Sequence, residues 1–197
     1  MTEPIRTFIA IELTDALHRA LSETQAQFKR DRAARSVRWV APDNIHITLK
    51  FLGDVGTDRM PTLQRALADA CVGSAPFTLT IGGAGAFPNP RHPNVVWIGA
   101  RGPTEIAARL AQKIDTACIA LGFPREERPF SPHLTLGRVK HDTLPSERQL
   151  VGAMIEHAQI GDLAELRVEH VSVMMSELKP GGSVYTRLAE IPLTVDG

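Results

Sequence analysis

Two stretches of this chain, "NIHITLKFLG" at 44–53 and "SPHLTLGRVK" at 131–140, place a histidine two positions before a threonine inside an otherwise apolar run. Side chains alternate across a strand, so His46, Thr48 and Lys50 share one face and Ile45, Ile47, Leu49 and Phe51 share the other. In the second stretch His133 and Thr135 oppose Leu134 and Leu136. Each strand must therefore turn one face to a core and the other to water or a cleft. A chain carrying that design twice is constrained to supply two such cores, or one core with two such edges.

The surroundings repeat as well. A strand candidate, "RTFIAIEL" at 6–13, is followed by a helix opening on Thr14 or Asp15, with Leu17, Leu21 and Phe28 on one face. After the first His-x-Thr comes a helix expected to be capped by Thr57, with Met60, Leu63, Leu67 and Cys71 along its stripe and Gly73 as its stop. The strands "FTLTIGGAGAF" and "NVVWIGA" follow, separated by the Pro-rich loop "PNPRHPN". The second half repeats the order: a helix with Leu110, Ile114, Ala117 and Leu121 inward and Gly122 at its end, then the second His-x-Thr. A helix with Ser146 and Gln149 spaced as a capping box comes next, then "LAELRVEHVSVMMSEL" and "VYTRLAEIPLTV". Phe8 stands 38 residues before His46 and Val96 stands 37 before His133; later landmarks, Phe77 and Leu166, lie 31 and 33 residues after their histidines.

This spacing supports an internal duplication within a single bilobed domain spanning 1–197. Strands in adjacent pairs, rather than strictly alternating with helices, favour an α+β fold: two lobes of antiparallel sheet covered by helices, related by a pseudo-twofold axis. The histidines then face each other across the junction. Strand pairing is left open by order and spacing.

Lys plus Arg and Asp plus Glu both number 22, so the chain lacks the broad positive field of a protein that coats long nucleic acid. Any nucleic-acid contact is expected at an end or a single phosphate. Cys71 and Cys118 fall in helical runs and read as core residues. No segment approaches 18 apolar residues and no basic-flanked apolar leader opens the chain, which predicts a soluble, cytoplasmic protein.

Two imidazoles with ordinary pKa values of about 6.5 can hold one proton between them near neutrality, one accepting while the other donates. Threonine hydroxyls at i+2 can donate to oxygens that gain charge in a transition state. A phosphodiester suits these parts, because in-line displacement puts the entering and leaving oxygens on opposite sides of phosphorus. No metal or cofactor is required.

His46-x-Thr48-Leu49 and His133-x-Thr135-Leu136, with "RTFIAIEL", the sequel "KFLG" and the closing "SELKPGGSVYTRLAEIPL", resemble the two-histidine (2H) phosphoesterases. Among them the chain is similar to the RNA 2′,3′-cyclic phosphodiesterases, also called 2′-5′ RNA ligase-like proteins, over roughly residues 5 to 193. The resemblance implies a bilobed fold with the active cleft between the lobes. It implies hydrolysis of an RNA terminal 2′,3′-cyclic phosphate to a 2′-phosphomonoester without a metal. It makes His46 the proton donor to the departing 3′-oxygen and His133 the proton acceptor from water, an assignment the residues alone leave open. Run backwards, the same pair gives 2′-5′ ligation. The partners implied are RNA ends, tRNA fragments or nucleotides among them, bound by a monomer away from membranes.

Arg138, five residues after His133, matches a phosphate-contacting arginine of that family, with Thr48 and Thr135 as the other substrate contacts. Strict alternation would aim Arg138 away from the histidines unless Gly137 marks a bulge or strand end. Lys50 is expected to be solvated. Phe87 could stack on a terminal base, whereas Trp39 and Trp97 are expected in the core. The remaining histidines, His18, His92, His141, His157 and His170, do not recur in register, so surface or structural roles are expected. Two other classes compete: a metal hydrolase using His46 and His133 as ligands, which lacks a recurring third ligand, and a silent module that only captures phosphorylated RNA ends.

Overall fold

Each half-polar strand finds its core on the side opposite its histidine: Ile47 and Leu49 are buried in one copy, Leu134 and Leu136 in the other. The structure, a computed structural model, describes residues 3–180 and 182–195; Gly181 of the closing stretch lies outside them. Its elements run β1 (Pro4–Ile11), α1 (Asp15–Phe28), β2 (Val37–Trp39), β3 (Ile47–Gly56), α2 (Met60–Cys71), β4 (Phe77–Phe87) and β5 (Val95–Arg101). Then come α3 (Thr104–Ala120), β6 (His133–Val139), α4 (Pro145–His157), β7 (Asp162–Val168), β8 (His170–Lys179) and β9 (Gly182–Pro192).

The strands form two antiparallel sheets, of order β3-β1-β8-β9 and β2-β6-β5-β4-β7. Helices α2 and α3 pack on the first and on each other, and α1 and α4 pack on the second. This is the α+β, helix-covered pair of sheets that the sequence implies. In each sheet a His-x-Thr strand lies beside the strand that precedes its own half's first helix, β3 beside β1 and β6 beside β5. The next strand in is exchanged: β8, from late in the chain, completes the first sheet, and β4 completes the second.

That exchange corrects one landmark. "LAELRVEHVSVMMSEL" is two strands in different sheets, and the counterpart of β4 is β8, beginning at His170, rather than a strand beginning near Leu166. The physical sign is a slip of phase: Leu166 and Val168 are buried, then Val171 and Val173, so the period-2 pattern breaks at Glu169–His170.

Thr14 caps α1 as expected, its hydroxyl accepting from the Leu17 N–H at 3.3 Å, and Leu17, Leu21 and Phe28 are buried. Helix α2 buries Met60, Leu63, Leu67 and Cys71, but Thr57 does not cap it; a 3-10 turn at Thr57–Arg59 leads in instead. In α3 the inward stripe continues through Cys118 rather than Ala117. The α4 box at Ser146 and Gln149 is replaced by one two residues earlier: Glu147 accepts from the Leu144 N–H at 3.1 Å, and Pro145, which has no N–H to satisfy, takes the first helical position. Both cysteines are buried free thiols, with burial pushing each up to about 11.

Bulges decide what the two motif strands show. Where β1 pairs with β3, Ala10 faces Thr48 and Ile9 faces Lys50, so Leu49 is an extra residue and the alternation flips after it. Lys50 is therefore only 3 % exposed and Phe51 60 % exposed, the reverse of the strict-alternation expectation. Lys50 donates to Asp115 Oδ1 at 2.6 Å and to the Pro124 carbonyl at 2.7 Å, tying β3 to α3 and to the loop that leads into β6. In the second copy Thr135 faces Trp97 and Gly137 faces Val96, so Leu136 is the extra residue.

Candidate active site

The two imidazoles are held in one way. His46 Nδ1 lies 2.9 Å from the Asn44 carbonyl and His133 Nδ1 lies 2.7 Å from the Ser131 carbonyl, in each case the residue two positions upstream. A carbonyl can only accept, so Nδ1 carries the hydrogen and Nε2 is left as the working atom. The turn that presents the Asn44 carbonyl is braced from two sides: His18 Nδ1 bonds the Pro42 carbonyl at 2.9 Å, and the Asn44 amide donates to the Ser183 carbonyl at 2.6 Å. His18 is thus structural, as expected, although its effect lands on the site.

Strands β3 and β6 touch across the junction of the sheets, and the charge of His133 is felt at His46. The surroundings of the rings differ. Phe8 stacks on His46 at 4.7 Å, and Tyr185, the only tyrosine of the chain, meets it edge-on at 5.3 Å. Desolvation among these rings pulls His46 down to about 4, against the Asn44 carbonyl and the Glu12 charge, which favour its protonated form. Burial also lowers His133, and Arg138 lowers it further, while the Ser131 carbonyl opposes the shift. Phe87 meets His133 edge-on at 4.8 Å, so it borders the site.

Thr48 and Thr135 are half-buried on the same strands, and neither hydroxyl is spent on a protein partner among the described residues. On β5, Val95, Trp97 and Gly99 alternate with the buried Val96 and Ile98, and they pair with Arg138, Thr135 and His133. The Leu136 bulge has therefore brought Arg138 onto the histidine face. Trp97 lies on that face too, and not in the core: a Cβ on Gly85 would overlap its indole, and one on Gly99 would come to 3.2 Å of it. The glycines of "GGAGAF" and "WIGA" leave room for that ring to lie along the sheet. Trp39 does pack inward, against Phe28 at 5.9 Å, with its N–H donated to the Ala34 carbonyl.

Of the residues that the sequence singled out at this site, His46 and Thr48 come from β3 and its lead-in, and His133, Thr135 and Arg138 share one face of β6, the strand that β3 meets across the junction of the sheets, whereas Lys50 is turned into the core. Phe8, Tyr185, Glu12 and the two upstream carbonyls were not legible. The i−2 carbonyl recurs in both copies, so the matched positions of Asn44 and Ser131 were its one available signal. Among the described residues no group of three or more His, Cys, Asp or Glu is disposed to hold a metal ion, and no helix is long and apolar enough to cross a membrane. What the arrangement can do is accept a proton at one Nε2, donate one at the other and hold an anion between them.

The model of the LigT like phosphoesterase family matches the chain twice, over residues 11–97 and 98–185. A protein of Methanothermobacter thermautotrophicus named RNA 2′,3′-cyclic phosphodiesterase is 39 % identical over 182 residues, 92 % of this chain and 95 % of that one. A protein of Escherichia coli K12 with the same name is 35 % identical over 138 residues, 70 % of this chain and 74 % of that one. Among solved structures, E. coli LigT in apo form superposes with a TM-score of 0.76 at 28 % identity, covering 98 % of this chain and 99 % of that one. Its complex with 3′-AMP gives 0.77 at 28 % identity, covering 97 % and 99 %.

Proposed function

The chain belongs to the LigT-like phosphoesterases, and from that membership we propose that it is an RNA 2′,3′-cyclic phosphodiesterase, opening a terminal 2′,3′-cyclic phosphate to a 2′-phosphomonoester. The observation that carries this is the paired pose of His46 and His133, each with its Nδ1 hydrogen committed to a carbonyl and its Nε2 left free. In this mechanism His133 Nε2 takes a proton from water as the oxygen attacks phosphorus. His46 gives a proton to the departing 3′-oxygen on the opposite side. Thr48, Thr135 and Arg138 hold the non-bridging oxygens, where charge builds.

His46, at about 4 in the free protein, is hard to protonate near neutrality, so the donor role depends on the substrate. A phosphate anion beside the ring favours the charged imidazole and raises its pKa on binding. Substrate and proton then arrive together, leaving both imidazoles neutral in the resting site. The cycle run backwards, with a 5′-hydroxyl in place of water, joins ends by a 2′-5′ bond.

The double match of the family model and the like order β3-β1-β8 and β6-β5-β4 support one bilobed domain built by duplication. Both histidines come from one chain, so the site is complete in a monomer. RNA ends, including tRNA fragments and nucleotides, are the substrates this reading implies, and a cytoplasmic location fits them. The test is to incubate the protein with an oligonucleotide ending in 2′,3′-cyclic phosphate, EDTA present, and identify the product. A 2′-phosphate is expected, with turnover lost in His46→Ala and in His133→Ala; wild-type rates in either variant would overturn the mechanism.

A further inference from the structure

The short strand β2 lies beside β6 at the edge of the second sheet, and its register sets Arg38 directly opposite Arg138. Directly paired residues of an antiparallel ladder point to the same face, so two guanidinium groups stand side by side there. Their neighbours fix which face it is. Val37 on β2 is buried, Trp39 packs on Phe28 of α1, and a Cβ on Gly137 would press on the Val37 side chain, so those residues face the helices. Arg38 and Arg138, one residue out of phase with them, are exposed on the opposite face, the one that carries His133 and Thr135.

Like charges directly opposite each other destabilise a strand pair. Among the described residues neither arginine has an ion-pair or hydrogen-bond partner to offset this. The Arg101, Arg167 and Arg187 side chains, by contrast, are all paired with carboxylates. Two unneutralised guanidinium groups on the face of His133 and Thr135, one strand apart at about 4.8 Å between backbones, suit two successive anions.

Resting on the RNA-end reading above, we infer that Arg38 binds the phosphodiester on the 5′ side of the terminal nucleotide while Arg138 serves the cyclic phosphate. β2 is the strand beyond β6, farther from β5 and from Thr135's partner Trp97, so Arg38 meets the chain as it leaves the site. Arg38 then makes the enzyme favour an RNA end over a free cyclic nucleotide. A nucleoside 2′,3′-cyclic phosphate lacks the anion that Arg38 takes; a dinucleotide ending in the cyclic phosphate has it.

The test compares those two substrates in wild type, Arg38→Ala, Arg38→Lys and Arg138→Ala. Arg38→Ala is expected to lower kcat/KM on the dinucleotide about tenfold, mainly through KM, with a much smaller loss on the mononucleotide. The salt dependence of log KM on the dinucleotide falls in slope by about 0.7, as for one lost phosphate contact on a single strand. Arg38→Lys retains part of the preference, and the Tm of Arg38→Ala is not lowered, since a repulsion has been removed. Arg138→Ala lowers turnover of both substrates. Equal loss on both substrates in Arg38→Ala, or no loss on either, overturns the inference while wild-type activity leaves the RNA-end reading standing. A wild type inactive on both overturns the two together.

Discussion

Gln25 of α1 donates its side-chain amide to the Leu136 carbonyl at 3.0 Å across 111 residues of chain, and to the Val40 carbonyl at 2.7 Å. Leu136 is the bulge residue of β6, and its carbonyl also accepts the Val40 N–H at 2.8 Å. A fully buried amide thus holds the irregularity that turns Arg138 onto the histidine face. The substitution Gln25→Leu keeps most of the volume but leaves the Val40 carbonyl without its donor and the Leu136 carbonyl with the Val40 N–H alone, at a cost of about 1–3 kcal/mol and a fall in Tm of several degrees. Activity should fall as well. Because Gln25 acts through Arg138, its effect on kcat/KM should shrink in an Arg138→Ala background; full additivity would show that the bulge and the arginine are uncoupled.

Lys50 ties β3 to the segment that delivers His133. Burial alone would raise Asp115, but its bonds to Lys50 and to the Glu126 N–H outweigh that and hold it below the usual carboxylate range. Lys50→Met leaves Asp115 and the Pro124 carbonyl without their shared donor, costing about 3 kcal/mol. Since the folded Asp115 is the stronger acid, wild type keeps this stabilisation above about pH 4 and loses it as pH falls through the lowered folded value. Urea midpoints at pH 7 should therefore separate wild type from Lys50→Met clearly, and the gap should narrow as pH falls below the ordinary Asp range, leaving the part that the Pro124 bond contributes.

Much of this is legible in the sequence, and what is not comes from bulges and from pairing between distant strands. Helix stripes, strand runs and the two His-x-Thr faces follow from periods of 3.6 and 2, which a sequence displays directly. Strict alternation puts Lys50 and Phe51 on the wrong faces because a bulge at Leu49 changes phase without a Gly or Pro to announce it. Gly137 did announce the second bulge, and Arg138 landed as that glycine suggested. The exchange of β4 and β8 between sheets is a property of pairing, which no local pattern encodes. Phe8 and Tyr185 come to His46 from strands far away in sequence, and nothing in their own neighbourhoods distinguishes them from core aromatics. Arg38 is invisible as a site residue until its register partner is known.

The depressed histidines carry a pH signature. With His46 at about 4 folded and about 6.5 unfolded, the unfolded chain binds the extra proton between those values, so stability rises with pH across that window. Stability is complete above about pH 6.5 and is lost as pH falls toward 4, by about 3 kcal/mol from this group. His46→Phe, which keeps a ring against Phe8, should flatten the fall of Tm between pH 6.5 and 4. An unchanged slope would mean that another group supplies it. For the enzyme, kcat/KM should peak on the acid side of neutrality, because it reports the free protein, in which both imidazoles resist protonation.

The direction of proton flow is open to a direct chemical test. If His46 protonates the departing 3′-oxygen, a cyclic substrate whose 3′-bridging oxygen is replaced by sulfur needs no such help, since a thiolate leaves unprotonated at neutral pH. His46→Ala should then regain much of the wild-type rate on the sulfur substrate while staying inactive on the oxygen one. His133→Ala should remain slow on both, because water must still surrender a proton as it attacks. The loss on the natural substrate is expected to be about 10²–10⁴-fold for each variant, so rescue of one and not the other is easily resolved by following product release. Rescue of His133→Ala instead would reverse the assignment, making the less desolvated imidazole, the one beside Arg138, the donor.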